Sequence, residues 1–272
     1  MADIEITGES LTVDQAIANL QQTEDSSLRY YAAWWLGRFR VKEPLVIAAL
    51  EAALDDTTDR SPEGGYPLRR NAARALGKLG DLSVVPALTR SLACEDYYVR
   101  EAAAQALAEL GDSQCVSALL ARLEGGMDAA VQVPGKPHLT EPYGAILEAL
   151  GALGATVAIA QIQPFLTHRF ATVQNAAARA LYQLTGDEQY AARLMTTLQD
   201  NNLQLRRSAL MDLGAIGYLP AAEAIAATLT ENSLKLIALK GLLDHQLSNS
   251  PDYPLDLTPR TLEVMALMDG LL

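Results

Sequence analysis

Arginines and flat aromatic side chains crowd a few short segments of this chain. Tyr30, Tyr31, Trp34 and Trp35 fall within six residues, with Arg29 before them and Arg38 after. A second segment runs Asp59-Arg60-Ser61-Pro62-Glu63-Gly64-Gly65-Tyr66 and on to Arg69, Arg70 and Arg74. A third sets Asp96, Tyr97, Tyr98, Arg100 and Glu101 side by side, and a fourth opens at Tyr143 and carries Glu148. Arginine forks pair bidentately with carboxylates. Tyrosine and tryptophan supply flat surfaces with polar handles, and Asp59, Glu63, Asp96, Glu101 and Glu148 are groups that accept or shuttle protons. Such a set suits a small anionic ligand held by a local arginine cluster. Nucleophilic catalysis by the chain itself has no support, because no Ser-His-Asp or Cys-His arrangement is visible. His138, His168 and His245 are scattered without metal-ligand spacing, and Gly64-Gly65 and Gly125-Gly126 follow no strand, so neither is a phosphate fingerprint. Cys115 takes the place that Val84 has one unit earlier and reads as a small buried hydrophobe. Cys94 stands at the end of a helix beside Glu95 and Asp96, whose charges work against a thiolate.

The elements that must position these residues are helices, and they repeat. Leu68-Arg69-Arg70-Asn71-Ala72-Ala73-Arg74-Ala75-Leu76-Gly77-Lys78-Leu79-Gly80 returns as Val99–Gly111 and again as Leu205–Gly217. With weaker copies, the arginine-like marker position falls at 29, 69, 100, 143, 174, 206 and 235. Two of the intervals are long, which places inserted loops at about Asp55–Tyr66 and Gly125–Glu141. Ala73, Leu76 and Leu79 recur at helical spacing, and Gly80-Asp81 or Gly111-Asp112 ends the first helix of a unit. Second helices follow, with Pro86 and Pro220 near their starts, where a missing N–H costs nothing. The spacing predicts an all-α chain, a solenoid of about six to seven helical hairpins over 1–272. Residues 1–26 form a cap around a helix at Val13–Gln21. Residues 248–272, with their prolines and the apolar run Met265–Leu272, cover the other end or dock a partner.

Composition narrows the class. Twenty-one basic against 33 acidic side chains give a net charge of −12, which argues against duplex nucleic acid. No run approaches the roughly 18 apolar residues of a membrane span. The first residues lack a basic n-region, and two cysteines suit a reducing cytosol, so a cytoplasmic protein is expected.

The unit Val-Arg-x-x-Ala-Ala-x-Ala-Leu-Gly-x-Leu-Gly-Asp resembles the HEAT-like repeats of the phycobilisome lyase class. With Tyr30–Arg40, Asp59–Arg70, Cys94–Glu101 and Pro142–Gly151, the whole chain resembles the E-subunit side of the E/F-type heterodimeric phycocyanobilin lyases. That resemblance implies attachment of phycocyanobilin, through a thioether, to a cysteine of the apo-phycocyanin α subunit, with an F-type subunit as partner. The bilin is then a substrate and no separate cofactor is implied. Its two propionates and flat ring system would find Arg29, Arg38, Arg60, Arg69, Arg70 and Arg100, and the rings of Tyr30, Trp34, Tyr66, Tyr97, Tyr98 and Tyr143. Asp59, Glu63 and Asp96 would then be the groups that keep the pyrroles protonated. The charge argument places the pigment across the first three repeats, with the 59–66 loop as one wall.

Plainer readings stand beside these. A residue that recurs at one register of a solenoid usually serves stacking, so Arg29, Arg69, Arg100 and Arg206 have that alternative. Trp34 and Trp35 point about 100° apart on a helix, so one fills the core and the other faces outward. Tyr97 and Tyr98 read as an exposed loop pair, which favours binding. The alternative to a lyase subunit is a non-enzymatic scaffold or bilin-delivery chaperone.

Overall fold

A helix rich in alanine, with glycine near its C-terminal end, can lie backbone on backbone against its neighbour, and this chain repeats that arrangement. The computed structural model describes residues 11–248 and 258–272. Every regular element among them is helical, apart from one isolated bridge between Gln132 and Leu139. Two compact units divide the chain, Met1–Ala121 with Thr140–Pro142 and Arg122–Leu139 with Tyr143–Leu272.

In the first unit the helices are α1 (Val13–Gln21), α2 (Ser26–Arg38), α3 (Pro44–Leu54), α4 (Pro67–Leu79), α5 (Val85–Ser91), α6 (Tyr97–Leu110) and α7 (Val116–Ala121). Helix α2 packs on α4 and α4 on α6, which makes a row of first helices. The second unit holds α8 (Gly126–Ala129), α9 (Tyr143–Ala152), α10 (Ile159–Ile162), α11 (Ala171–Thr185), α12 (Glu188–Thr197), α13 (Leu203–Ala215), α14 (Ala222–Ala227), α15 (Asn232–Ser248) and α16 (Pro259–Asp269). Its row runs α9, α11, α13 and α15. The α-solenoid of helical hairpins expected from the repeats is thus present, with the marker residues all on first helices. Helix α1 has the expected bounds. Helix α16 lies on α14 and α15, burying Val264 and Thr261 while Leu262 and Met265 stay exposed. The proline-containing stretch at 249–257 lies outside the described residues.

The core follows from register. Seven residues after each marker stands Leu36, Leu76, Leu107, Leu150, Leu181, Leu213 or Leu242, and every one is fully buried. Each such burial stabilises by roughly 1.5–3 kcal/mol relative to exposure. Close approach of the rows needs a missing side chain. A Cβ on Gly77 would come 2.8 Å from the Cα of Ala106 on α6. Asp25, Asp96 and Asn202 cap α2, α6 and α13 through their side chains. Asp81 and Asp112 cap the short 3-10 turns that lead into α5 and α7, which satisfies donors that would otherwise lack partners.

Candidate functional site

The start of α4 gathers many of the residues singled out in the sequence, but they are turned toward one another. The Tyr66 ring lies between two guanidinium groups, Arg60 at 4.0 Å and Arg69 at 3.9 Å from its centroid. Its hydroxyl donates to Glu95 at 2.7 Å, its backbone N–H donates to Asp96 at 2.6 Å, and Arg60 reaches both the Tyr66 hydroxyl and Glu95. Glu95, which was not among the expected site residues, is therefore central to the cluster. Asp96 also caps α6 by accepting from the Tyr98 N–H. Asp59 is buried and accepts from Tyr30 Oη at 2.7 Å, from Ser26 Oγ at 3.0 Å and from the Leu68 N–H at 3.1 Å. That set ties α2 to the first turn of α4. Burial and the Asp59 carboxylate push the Tyr30 hydroxyl up to about 12. Glu63 stands exposed at the tip of the turn closed by the Gly64 N–H to Ser61.

The recurring arginine serves the stack. Arg29 is buried, pairs with Asp56 at 2.6 Å and donates to the Leu20 carbonyl at 3.0 Å. Arg69 donates to the carbonyl of Asp56, and Arg100 to those of Cys94, Glu95 and Thr140 while pairing with Glu141 at 2.8 Å. Arg206 repeats the pattern on Asp200, Asn201 and Leu229. These contacts are the kind that the stacking reading of the recurring arginines expects. The sulphur of Cys94 lies 3.8 Å from Arg69.

Two expectations need correction. Tyr97 and Tyr98 do not lie in a loop; they form the first turn of α6, because Asp96 caps that helix and starts it two residues before Val99, where the repeated segment begins. Their rings meet edge to face at 5.3 Å, and Arg70 stands 5.9 Å over Tyr98. Tyr143 does not present its ring: it is 2% exposed and packs on Phe165 at 5.3 Å in the core of the second unit. His168, also buried, donates from Nε2 to the Ala130 carbonyl and accepts from the Phe170 N–H at Nδ1. Among the described residues no group of His, Cys, Asp and Glu is placed to hold a metal ion, and no helix is long and apolar enough to cross a membrane.

Arg38 belongs to a different place from its expected companions. It ends α2, nine residues and roughly 13 Å along the helix from Arg29. There it lines a pocket of about 410 Å³ with Gly37, Arg40, Gly77, Lys78, Gly80 and Glu109. Trp34 and Tyr31, half exposed, lie one and two turns back along the face of α2 that bears Arg38, with ring centroids 5.6 Å apart. Trp35 packs instead on Phe39. An open aromatic pair thus leads to three cations; of the other expected arginines, Arg70 is likewise not tied into the stack, its Nε buried without a hydrogen-bond partner. Arg40 and Lys78 were not singled out in the sequence, although the repeat alignment carried the signal for Arg40.

The comparisons agree with this architecture. A family model described as PBS lyase HEAT-like repeat matches residues 28–56, and one for HEAT repeats matches 65–132. The chain is 62% identical over 262 residues to a phycocyanobilin lyase subunit alpha of Synechocystis sp., covering 96% of each chain. It is 59% identical over 273 residues to the protein of that name in Synechococcus elongatus, covering 100% of both. A solved structure of the complex of CpcE and CpcF of phycocyanin lyase from Nostoc sp. PCC7120 is similar at a TM-score of 0.89 and 58% identity, over 100% of this chain and 99% of that one. The chain belongs to the phycocyanobilin lyase subunit alpha family.

Proposed function

We propose that this chain is the α subunit of a phycocyanobilin lyase and works as a heterodimer with an F-type subunit. The end-to-end identity with proteins of that name carries the reading, and the fold match to one chain of a two-subunit lyase complex supports the partner. The reaction joins phycocyanobilin to a cysteine of the phycocyanin α subunit. A C–S bond forms as the thiol adds across the exocyclic double bond of the first pyrrole ring, and the thiol proton is balanced by one delivered to the ring carbon. No electron acceptor is needed. The nucleophile comes from the acceptor protein, so this chain's part is to bind, orient and shield the pigment. The exposed Tyr31–Trp34 pair offers a flat surface of the right kind for a conjugated ring system. A cytoplasmic location in a phycobilisome-containing cell follows from that acceptor.

The test is reconstitution of this chain, its F-type partner, apo-phycocyanin and phycocyanobilin. Pigment that stays on the phycocyanin α subunit in a denaturing gel only when both lyase chains are present is the expected result. Non-covalent colour that is lost on denaturation, with phycocyanin left unmodified, would favour the delivery-chaperone reading instead.

A further inference from the structure

At the end of α2 the chain turns in a left-handed conformation at Arg40, φ 51°, the one positive-φ residue other than glycine among those described. The closure is a Schellman turn: the Val41 N–H donates to Leu36, and the Arg40 N–H donates to Gly37. The same pair of bonds closes α9 with Gly154 and α13 with Gly217 at the left-handed position, and Gly80 makes the second of them after α4. A side chain there clashes with its own carbonyl, so glycine is the residue the backbone prefers. One repeat carries an arginine where its counterparts have glycine.

Arg40 does not stand alone. Arg38 and Lys78 line the same pocket, with Glu109 the only carboxylate among its lining residues. Arg38 and Lys78 also face the partial negative charge of the helix ends that they terminate. Arg40 has no such purpose, since the hydrogen bonds of the turn are made by its backbone and glycine makes them elsewhere. Glu109 lies across the floor, its Oε2 3.3 Å from where a Gly77 Cβ would sit. Three cations against one carboxylate leave two positive charges at the end of the Tyr31–Trp34 surface. Strained residues that the rest of a fold does not require concentrate at ligand sites.

We propose that Arg40, with Arg38 and Lys78, forms a carboxylate-binding site that holds the two propionates of the open-chain tetrapyrrole. This rests on the bilin-lyase reading above. Arg40 keeps a costly backbone conformation because its guanidinium completes the site. The opposite end of the repeats, around Tyr66, then serves the stack and not the pigment.

The test uses the heterodimer with its F-type partner and two probes, free phycocyanobilin and its propionate dimethyl ester, titrated by absorbance. Arg40→Gly should raise the unfolding midpoint while weakening binding of the free acid by roughly ten- to a hundredfold. Lys78→Ala should weaken it without that gain in stability. The ester should bind wild type and Arg40→Gly alike. An Arg40→Gly complex that binds the free acid as wild type does, or that unfolds earlier, would overturn the proposal. A wild-type complex that binds acid and ester equally overturns it too, with the lyase reading intact. One that binds neither and transfers no pigment overturns both.

Discussion

Arg29→Met separates a stacking role from a ligand role at the first marker position. The Arg29–Asp56 pair is nearly closed to solvent, with side chains 7% and 12% exposed. Methionine keeps much of the volume and removes the charge, leaving the Leu20 carbonyl and the Asp56 carboxylate without their cation. Breaking one side of a buried pair costs about 3–5 kcal/mol, a large part of a total near 5–15 kcal/mol. At about 2–4 °C per kcal/mol for a chain of this order of size, the melting midpoint should fall by roughly 10 °C. Urea unfolding followed by far-ultraviolet circular dichroism reads the same loss, and Arg29→Met with Asp56→Asn should recover part of it. Acid supplies an independent check. Burial opposes the Asp56 charge, but hydrogen bonds from Arg29, the Asp59 backbone and Thr58 outweigh it and hold the carboxyl below its ordinary value. A depressed acid stabilises the fold above its unfolded pKa and loses that contribution as pH falls toward the folded one. The gap between wild type and Arg29→Met should therefore close below about pH 4. A variant with wild-type stability at neutral pH and no affinity for bilin would refute the stacking argument.

Two further outcomes follow from the helix rows. Gly77→Val should lose about 1–3 kcal/mol in urea unfolding, because its Cβ would meet both the Cα and the Cβ of Ala106 at 2.8 Å; an unchanged midpoint would mean that α4 and α6 do not approach so closely. Burial among the helix ends raises the Glu109 carboxyl although water still reaches it, and Lys78 and Arg40 pull it back. A raised acid binds its proton more tightly when folded, so its charge costs stability as pH climbs past the ordinary glutamate value. Glu109→Gln should match wild type in acid and be the more stable at neutral pH, measured as urea midpoints between about pH 4 and pH 7.

The architecture was legible because a solenoid imposes the same demands on every unit. Leucine seven places after the marker, alanine where neighbouring backbones meet and glycine at the turn are all short-range signals, and each recurs at the expected register. The partners of the marked arginines were not legible. Arg29 meets Asp56 and Arg100 meets Glu141, 27 and 41 residues away, across inserted loops whose paths no spacing rule describes. The sequence set the recurring Arg69 and Arg100 apart as stacking candidates, but did not separate Arg38 from Arg60 as anion ligands. Folding spent three of them on carboxylates, carbonyls or a tyrosine ring and left Arg38 lining a pocket. Tyr143 was misplaced for a related reason: its neighbour Phe165, which packs in turn on His168, comes from a later segment.

A repeat protein also offers a signal that single positions lack. The residues that agree with the repeat already have a purpose, since stacking requires them in every unit whether or not a ligand is bound. Chemistry particular to this chain must therefore sit where one unit departs from the others. Trp34 stands in the first helix of the first full repeat where its counterparts are Arg74, Gln105, Glu148, Arg179 and Met211, and glycine gives way to Arg40 at the turn. Stacking explains neither change, and the second works against the backbone. Both fall in one repeat, and Arg38, four residues after Trp34 and two before Arg40, links the exposed face of α2 to the pocket at its end. Residues that a fold would be more stable without, brought together on one surface, are better guides to function than the arginines that recur.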